Sequence, residues 1–130
     1  MKHKITLILF LITTLTYSQQ VSEIVAELNK NWTSYNANPA LTKIYLNRNE
    51  KILDILGYQI PLNKVKILYE QENRIFQGVK IEGSVNFECE YSCILNGDEK
   101  ILAVAFGYKS KDGAYKFIEL LYRLIEALEQ

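Results

Sequence analysis

The spacing of apolar residues changes twice along this chain, and that change limits the fold more than any other feature. From Val21 they fall at Ile24, Val25, Leu28 and Trp32, the spacing of one helical face, with Ser22, Glu23, Glu27 and Lys30 elsewhere on the cylinder. Pro39 cannot donate the next backbone bond and pushes its predecessor out of helical geometry, so this helix is predicted to end within Asn36 to Asn38. After Pro39 the period falls to two. Near the C-terminus the three-four spacing returns at Ala114, Phe117, Ile118, Leu121, Leu124, Ile125 and Leu128. Asp112 is positioned to cap that second helix, and Glu119 with Arg123 form a favourable i,i+4 pair worth about 0.3 kcal/mol.

The middle of the chain repeats one grammar of alternation and turn. Ile44 to Leu46 and Ile52 to Leu56 flank a polar turn at Asn47 to Glu50, which predicts a hairpin. Val65, Ile67 and Tyr69 alternate with Lys64, Lys66 and Glu70 up to turn residues Gln71 to Asn73. Ile75 to Glu82 leads to Gly83, and Val85, Phe87 and Cys89 alternate with Asn86, Glu88 and Glu90. Ile94 and Leu95 precede an Asn96-Gly97 turn, a strong hairpin signal, and Ile101 to Phe106 completes the series. The expectation is an α+β fold: an N-terminal helix, six or seven antiparallel strands, and a C-terminal amphipathic helix docked against the sheet by its apolar stripe.

That element order, from about Lys43 to Leu128, resembles the pleckstrin-homology-like barrel, in which a terminal helix plugs one end of a curled sheet. The resemblance implies a curled sheet or barrel. It does not extend to lipid headgroups, because the turn that would carry the gripping basic loop is Asn47, Arg48, Asn49 and Glu50, with one compensated cation. A cystatin-like α+β arrangement, with helices on one face of a curled sheet, is the alternative.

The first eighteen residues read differently from the rest. Lys2, His3 and Lys4 precede an apolar run from Ile5 to Ile12, extending to Leu15, and Thr16 and Ser18 supply the small side chains that a signal peptidase accepts. The run is too short for a hydrocarbon core that needs about 20 helical residues. We therefore expect residues 1–18 to be a signal peptide cut after Ser18, and residues 19–130 to be one globular domain with no membrane span after cleavage. The Tyr17-Ser18-Gln19-Gln20 junction resembles export signals common in Bacteroidetes, which implies a periplasmic or secreted protein.

Cleavage removes the chain's one histidine, His3, together with Lys2 and Lys4. Of 15 basic residues 13 then remain against 15 acidic ones, a formal net charge of −2 without the basic face that nucleic-acid binding requires. A zinc site needs about four ligands, and two cysteines with no histidine do not assemble one, so no metal or cofactor is expected. Cys89 and Cys93 would lie about 13 Å apart on a straight strand, beyond the roughly 7 Å limit for a bridge. In an exported protein they are expected to form a disulfide, which requires a turn at Glu90, Tyr91 and Ser92. Glu88 with Glu90, and Glu70 with Glu72, have the spacing of a glycosidase pair, about 5 to 9 Å. Their alternation with apolar residues points instead to a solvated face. No serine lies in a Gly-x-Ser-x-Gly context and no glycine-rich phosphate loop is present.

Nine tyrosines are the unusual component. Tyr115 and Tyr122 are seven apart on one flank of the last helix, and Tyr108 enters the same loop, which makes Tyr108, Tyr115 and Tyr122 the candidate interaction surface. The functional expectation is an exported, non-catalytic binding or scaffold module of the cell envelope, holding a protein, lipid or small ligand. An inhibitor or immunity-type protein against a secreted enzyme or toxin is the alternative, and a carboxylate-dependent hydrolase a more distant one.

Overall fold

The computed structural model describes residues 2–38 and 42–129, with side chains from residue 18 onward. Two helices bracket eight strands: α1 (Lys2–Tyr35), β1 (Tyr45–Asn47), β2 (Ile52–Ile55), β3 (Tyr58–Pro61), β4 (Val65–Phe76), β5 (Val79–Cys89), β6 (Ile94–Asn96), β7 (Glu99–Ile101), β8 (Ala103–Tyr108) and α2 (Lys111–Leu128). The strands are antiparallel and form two sheets, ordered β1-β2-β3-β6-β7 and β4-β5-β8, which do not close on themselves. The fold is α+β with a helix at each end, as the periodicity predicts. Apart from Ser18, the expected leader lies outside the residues whose side chains are described. The backbone of α1 runs unbroken from Lys2 through Val21, so the helix starts well before its amphipathic part.

From Val21 onward α1 buries Val21, Ile24, Leu28 and Trp32. Trp32 sits at the centre of the core, its ring 5.5 Å from that of Phe106 and 6.0 Å from that of Phe117. α2 packs on α1 and on β4, β5 and β8, burying Phe117, Leu120, Leu121 and Leu124 at roughly 2 kcal/mol each. Its N-cap is Ser110, not Asp112. Ser110 is extended (φ −130°, ψ 128°) and its Oγ accepts from the Gly113 N–H at 3.1 Å, while Asp112 lies in the first turn beside the positive end of the helix dipole. Glu119 pairs with Lys116 at 3.6 Å, and Arg123 reaches Glu27 on α1 at 3.7 Å, so the expected Glu119–Arg123 pair gives way to a link between helices.

Asn29 and Arg48 tie α1 to the segments on either side of β1. Asn29 donates to the Ile44 carbonyl at 3.1 Å and accepts from the Ile44 N–H at 2.7 Å, holding the approach to β1. Arg48, in the turn after β1, donates to the carbonyl of Ser18 at 2.6 Å and to the hydroxyl of Ser22 at 3.1 Å.

The longest hairpin departs from its predicted turns. β4 does not stop at Gln71 to Asn73. A bulge between Gln71 and Arg74 shifts the register there and the strand continues to Phe76. The reversal lies at Gln77 and Gly78, both with positive φ (50° and 78°), the requirement of a two-residue primed turn. Gly83 is therefore inside β5 and not at a turn. A Cβ there would lie 2.4 Å from the ring of Tyr69, so the glycine makes room for a tyrosine across the pair. The Asn96-Gly97 turn also forms one residue later, with Asn96 paired to Glu99.

Candidate functional site

Alternation along β8 turns Phe106 and Tyr108 inward, and this removes Tyr108 from the surface proposed for it. Tyr108 is 0 % exposed. Its hydroxyl donates to Asn31 Oδ1 at 2.9 Å, and the Asn31 amide donates to the Gly113 carbonyl at 3.0 Å, so one buried relay joins α1, β8 and the first turn of α2. Burial pushes the Tyr108 phenol far above its ordinary pKa. The alternation read from the sequence ends this strand at Phe106 and so places Tyr108 in the loop that follows. Two more residues of the same alternation make it core.

Tyr115 and Tyr122 do share a flank of α2, 49 % and 52 % exposed. They lean on β4. The rings of Tyr115 and Tyr69 lie 4.4 Å apart at 30°, and the Tyr122 hydroxyl donates to the Ile67 carbonyl at 3.1 Å. Lys111 stands 5.9 Å over the Tyr115 ring, a cation–π approach at the start of the helix. Partial burial, then the neighbouring Tyr115, Glu82 and Glu72, raise the pKa of Tyr69.

The same strand carries further apolar surface that tyrosine spacing alone does not reveal. Leu68 is exposed on the opposite face of β4, and at the hairpin end Ile75 is 76 % and Phe76 52 % exposed, with Arg74 6.0 Å over the Phe76 ring. Third-strand support ends early. β8 pairs with β5 from Gly83 to Glu88, so the part of the hairpin from Val79 to Ile81 and its β4 partners Arg74 to Phe76 extends beyond it. The signal in the sequence is the adjacent pair Ile75-Phe76 directly before Gln77-Gly78, an apolar pair at a turn.

β4 is also an edge, and edges differ across this molecule. β1 and β7, the edges of the larger sheet, are three residues each. The end of β8 is covered by main chain: the Ala37 N–H donates to the Gly107 carbonyl and the Lys109 N–H to the Tyr35 carbonyl, both at 2.8 Å. β4 has twelve residues, and on its outer side the hydrogen bond described is the one from a side chain, Tyr122. A long, sparsely covered edge is a template for another strand.

The remaining candidates are placed as follows. Cys89 and Cys93 are disulfide-bonded, with Cα atoms 5.8 Å apart across the bend at Glu90 to Ser92. The bridge ties the end of β5 to the entry of β6 and so links the two sheets. Glu88, Glu90 and Glu70 are exposed, and Glu72 pairs with Arg74 at 3.3 Å. Glu88 and Glu90 border an open depression of about 570 Å³ with Asn63 and Lys64, where no side chain of the described residues supplies a buried acid. A second open cleft of about 650 Å³ lies between the start of the amphipathic part of α1 and β1, bordered by Val25, Tyr45 and Arg48. Among the described residues no group of three or more histidine, cysteine or acidic side chains lies close enough to hold a metal ion, and no helix is long and apolar enough to cross a membrane. Compared with protein-family models, curated proteins and solved structures, the chain matches none of them.

Proposed function

We propose that this chain is an exported, non-catalytic binding module of the cell envelope that captures a protein partner along β4. The observation that carries this reading is the concentration of exposed large apolar side chains on one strand and its flank: Leu68, Ile75 and Phe76 on β4, with Tyr115 and Tyr122 beside it. Aromatic residues of this kind contribute contact area at low entropy cost. The disulfide supports export, since such bridges persist in oxidising compartments. The test is capture of envelope proteins by immobilised protein, comparing the native chain with Ile75→Asp/Phe76→Asp and with the control Tyr45→Asp, an exposed tyrosine on a different sheet. A partner retained by the native chain and the control but lost with the hairpin variant supports the reading. Equal retention by all three refutes it.

One observation favours the inhibitor or immunity-type alternative as a form of the same function. The hairpin end projects past β8 with Ile75 and Phe76 at its end, a shape suited to entering a cleft. If the captured partner is a secreted enzyme or toxin whose activity falls in the complex, and recovers with the Ile75→Asp/Phe76→Asp variant, the partner is a target and not a scaffold neighbour.

A further inference from the structure

We infer that the regular part of β4 is a self-complementary edge through which two copies of this chain pair antiparallel about Leu68. The inference rests on the reading of β4 as a recognition edge and names the occupant of its first half. The register between β4 and β5 is unbroken from Val65 to Gln71, after which the bulge bends the strand away. The midpoint of that stretch is Leu68. Residues two apart share a face, so Lys66, Leu68 and Glu70 lie together on the exposed side of the sheet.

A two-fold axis at Leu68 sets each Leu68 opposite its copy, Lys66 opposite the second copy's Glu70, and Glu70 opposite the second copy's Lys66. The charges are thus antisymmetric about the point where the regular stretch is symmetric. A parallel arrangement in register would set lysine against lysine and glutamate against glutamate, so the pattern selects the antiparallel one. Within one chain Lys66 stands opposite Glu88 and Glu70 opposite Ser84, yet among the described residues neither Lys66 nor Glu70 has an ion pair within 4.0 Å. An edge lysine alone discourages pairing. Here the glutamate four residues on cancels that effect for a copy of the same strand.

The backbone agrees with this centring. In an antiparallel ladder alternate residues turn their N–H and C=O to the same neighbour. The Ile67 carbonyl, met by Tyr122, is on the outer side, so Val65, Tyr69 and Gln71 present their groups there as well. An axis at Leu68 brings Ile67 opposite the second copy's Tyr69 and Val65 opposite its Gln71, each a hydrogen-bonded pair. Leu68 and the Lys66–Glu70 pairs then fall at the non-hydrogen-bonded positions, where side chains approach most closely. Tyr122 must release Ile67 for the second strand to enter. Its phenol is therefore the guard of this edge. In the resulting dimer the two β4 strands run in opposite directions and the two hairpin ends point apart, which leaves both copies of Ile75 and Phe76 free for a partner.

The test is sedimentation equilibrium of the protein as processed by its expressing cell, with four variants. Wild type is expected to show a concentration-dependent monomer–dimer equilibrium. Lys66→Glu and Glu70→Lys each set like charges opposite twice per dimer and should weaken it by about tenfold or more, whereas Lys66→Glu/Glu70→Lys restores opposite charges and should return near wild-type affinity. Tyr122→Phe removes the competing hydrogen bond on both copies and should tighten the dimer by roughly tenfold. Lys66, Glu70 and Tyr122 are exposed, and far-UV circular dichroism will show that the variants remain folded. A monomer at every accessible concentration overturns the inference, as does a dimer insensitive to the single charge reversals or one that the double reversal fails to restore. If dimerisation fails while hairpin-dependent capture persists, self-pairing alone is lost. If both fail, the reading of β4 as a recognition edge falls with it.

Discussion

Replacing Tyr108 by Phe deletes one oxygen from the middle of the fold and tests whether the buried relay is as dry as its geometry implies. The ring is fully buried, so the apolar contacts with Trp32 and Phe117 survive the change. What is lost is the donor to Asn31 Oδ1, which is left buried without it, at a cost of about 1–3 kcal/mol. Taking about 2 kcal/mol and a urea m-value of about 1.5 kcal/mol/M, the unfolding midpoint should fall by roughly 1 M. Asn31→Ala should cost more, because it strands both the Tyr108 hydroxyl and the Gly113 carbonyl. The double variant should then be less damaging than the sum of the two by about 1 kcal/mol or more, since neither partner is left alone. The same phenol predicts an alkaline limit. Its folded pKa is raised above the unfolded value of about 10, so its contribution is fully present below pH 10 and is lost above it at about 1.4 kcal/mol per pH unit. Denaturant titrations with phenolate absorbance should show one tyrosine ionising with unfolding, a component absent in Tyr108→Phe. Additive single effects, within about 0.3 kcal/mol, or an unchanged alkaline slope would refute a desolvated relay.

Gly83→Ala should cost about 1–2 kcal/mol in urea unfolding because its methyl meets the Tyr69 ring, and in a Tyr69→Ala background the same change should be neutral or stabilising. Cys89→Ser/Cys93→Ser closes no loop, and for a bridge between residues four apart the chain-entropy estimate is a loss of about 2 kcal/mol, read as a lower melting temperature under non-reducing conditions. Ser110→Ala should destabilise by about 1 kcal/mol as the loss of a cap, whereas Asp112→Ala should cost only about 0.3 kcal/mol through the helix dipole, a contrast that thermal unfolding resolves.

Periodicity located the two helices and the faces of the strands, because burial of one stripe or one side is a local property of spacing. The amphipathic helix from Val21, its end before Pro39, the hairpin across Asn47 to Glu50, and the bend that allows Cys89 to reach Cys93 all follow from that logic. The failures come from residues whose local preference was outweighed by a distant contact. Gln71 to Asn73 have turn chemistry, yet cross-strand pairing on both sides absorbs them as a bulge. Gly83 resembles a punctuation mark and is instead a space for the ring of Tyr69. Gln77 accepts a positive φ that glutamine rarely takes, because long strands on either side leave the turn no other register. The short strand Tyr58–Pro61 has no counterpart among the expected strands, since four residues carry too little alternation to stand out.

Edges are harder to read than faces, and this chain shows why. β3 takes β6 as its neighbour across the whole length of β4 and β5, so membership of a sheet is decided by contacts remote in sequence. No pattern within β4 says that nothing follows it on one side. Yet that position is what gives meaning to the order Lys66, Leu68, Glu70: on a central strand the two charges would face neighbours in the same chain, and on an edge they face whatever arrives. Tyr122 changes meaning for the same reason. Read on the helix it is half of an aromatic flank, and read against Ile67 it is a removable cover on the long edge. The main chain around Ala37 covers the end of β8 for as long as the fold lasts, whereas a phenol can rotate away at the cost of one hydrogen bond, about 1 kcal/mol net. The asymmetry between the two edges of the small sheet is thus a difference in reversibility, and it makes β4 the side on which association can be switched.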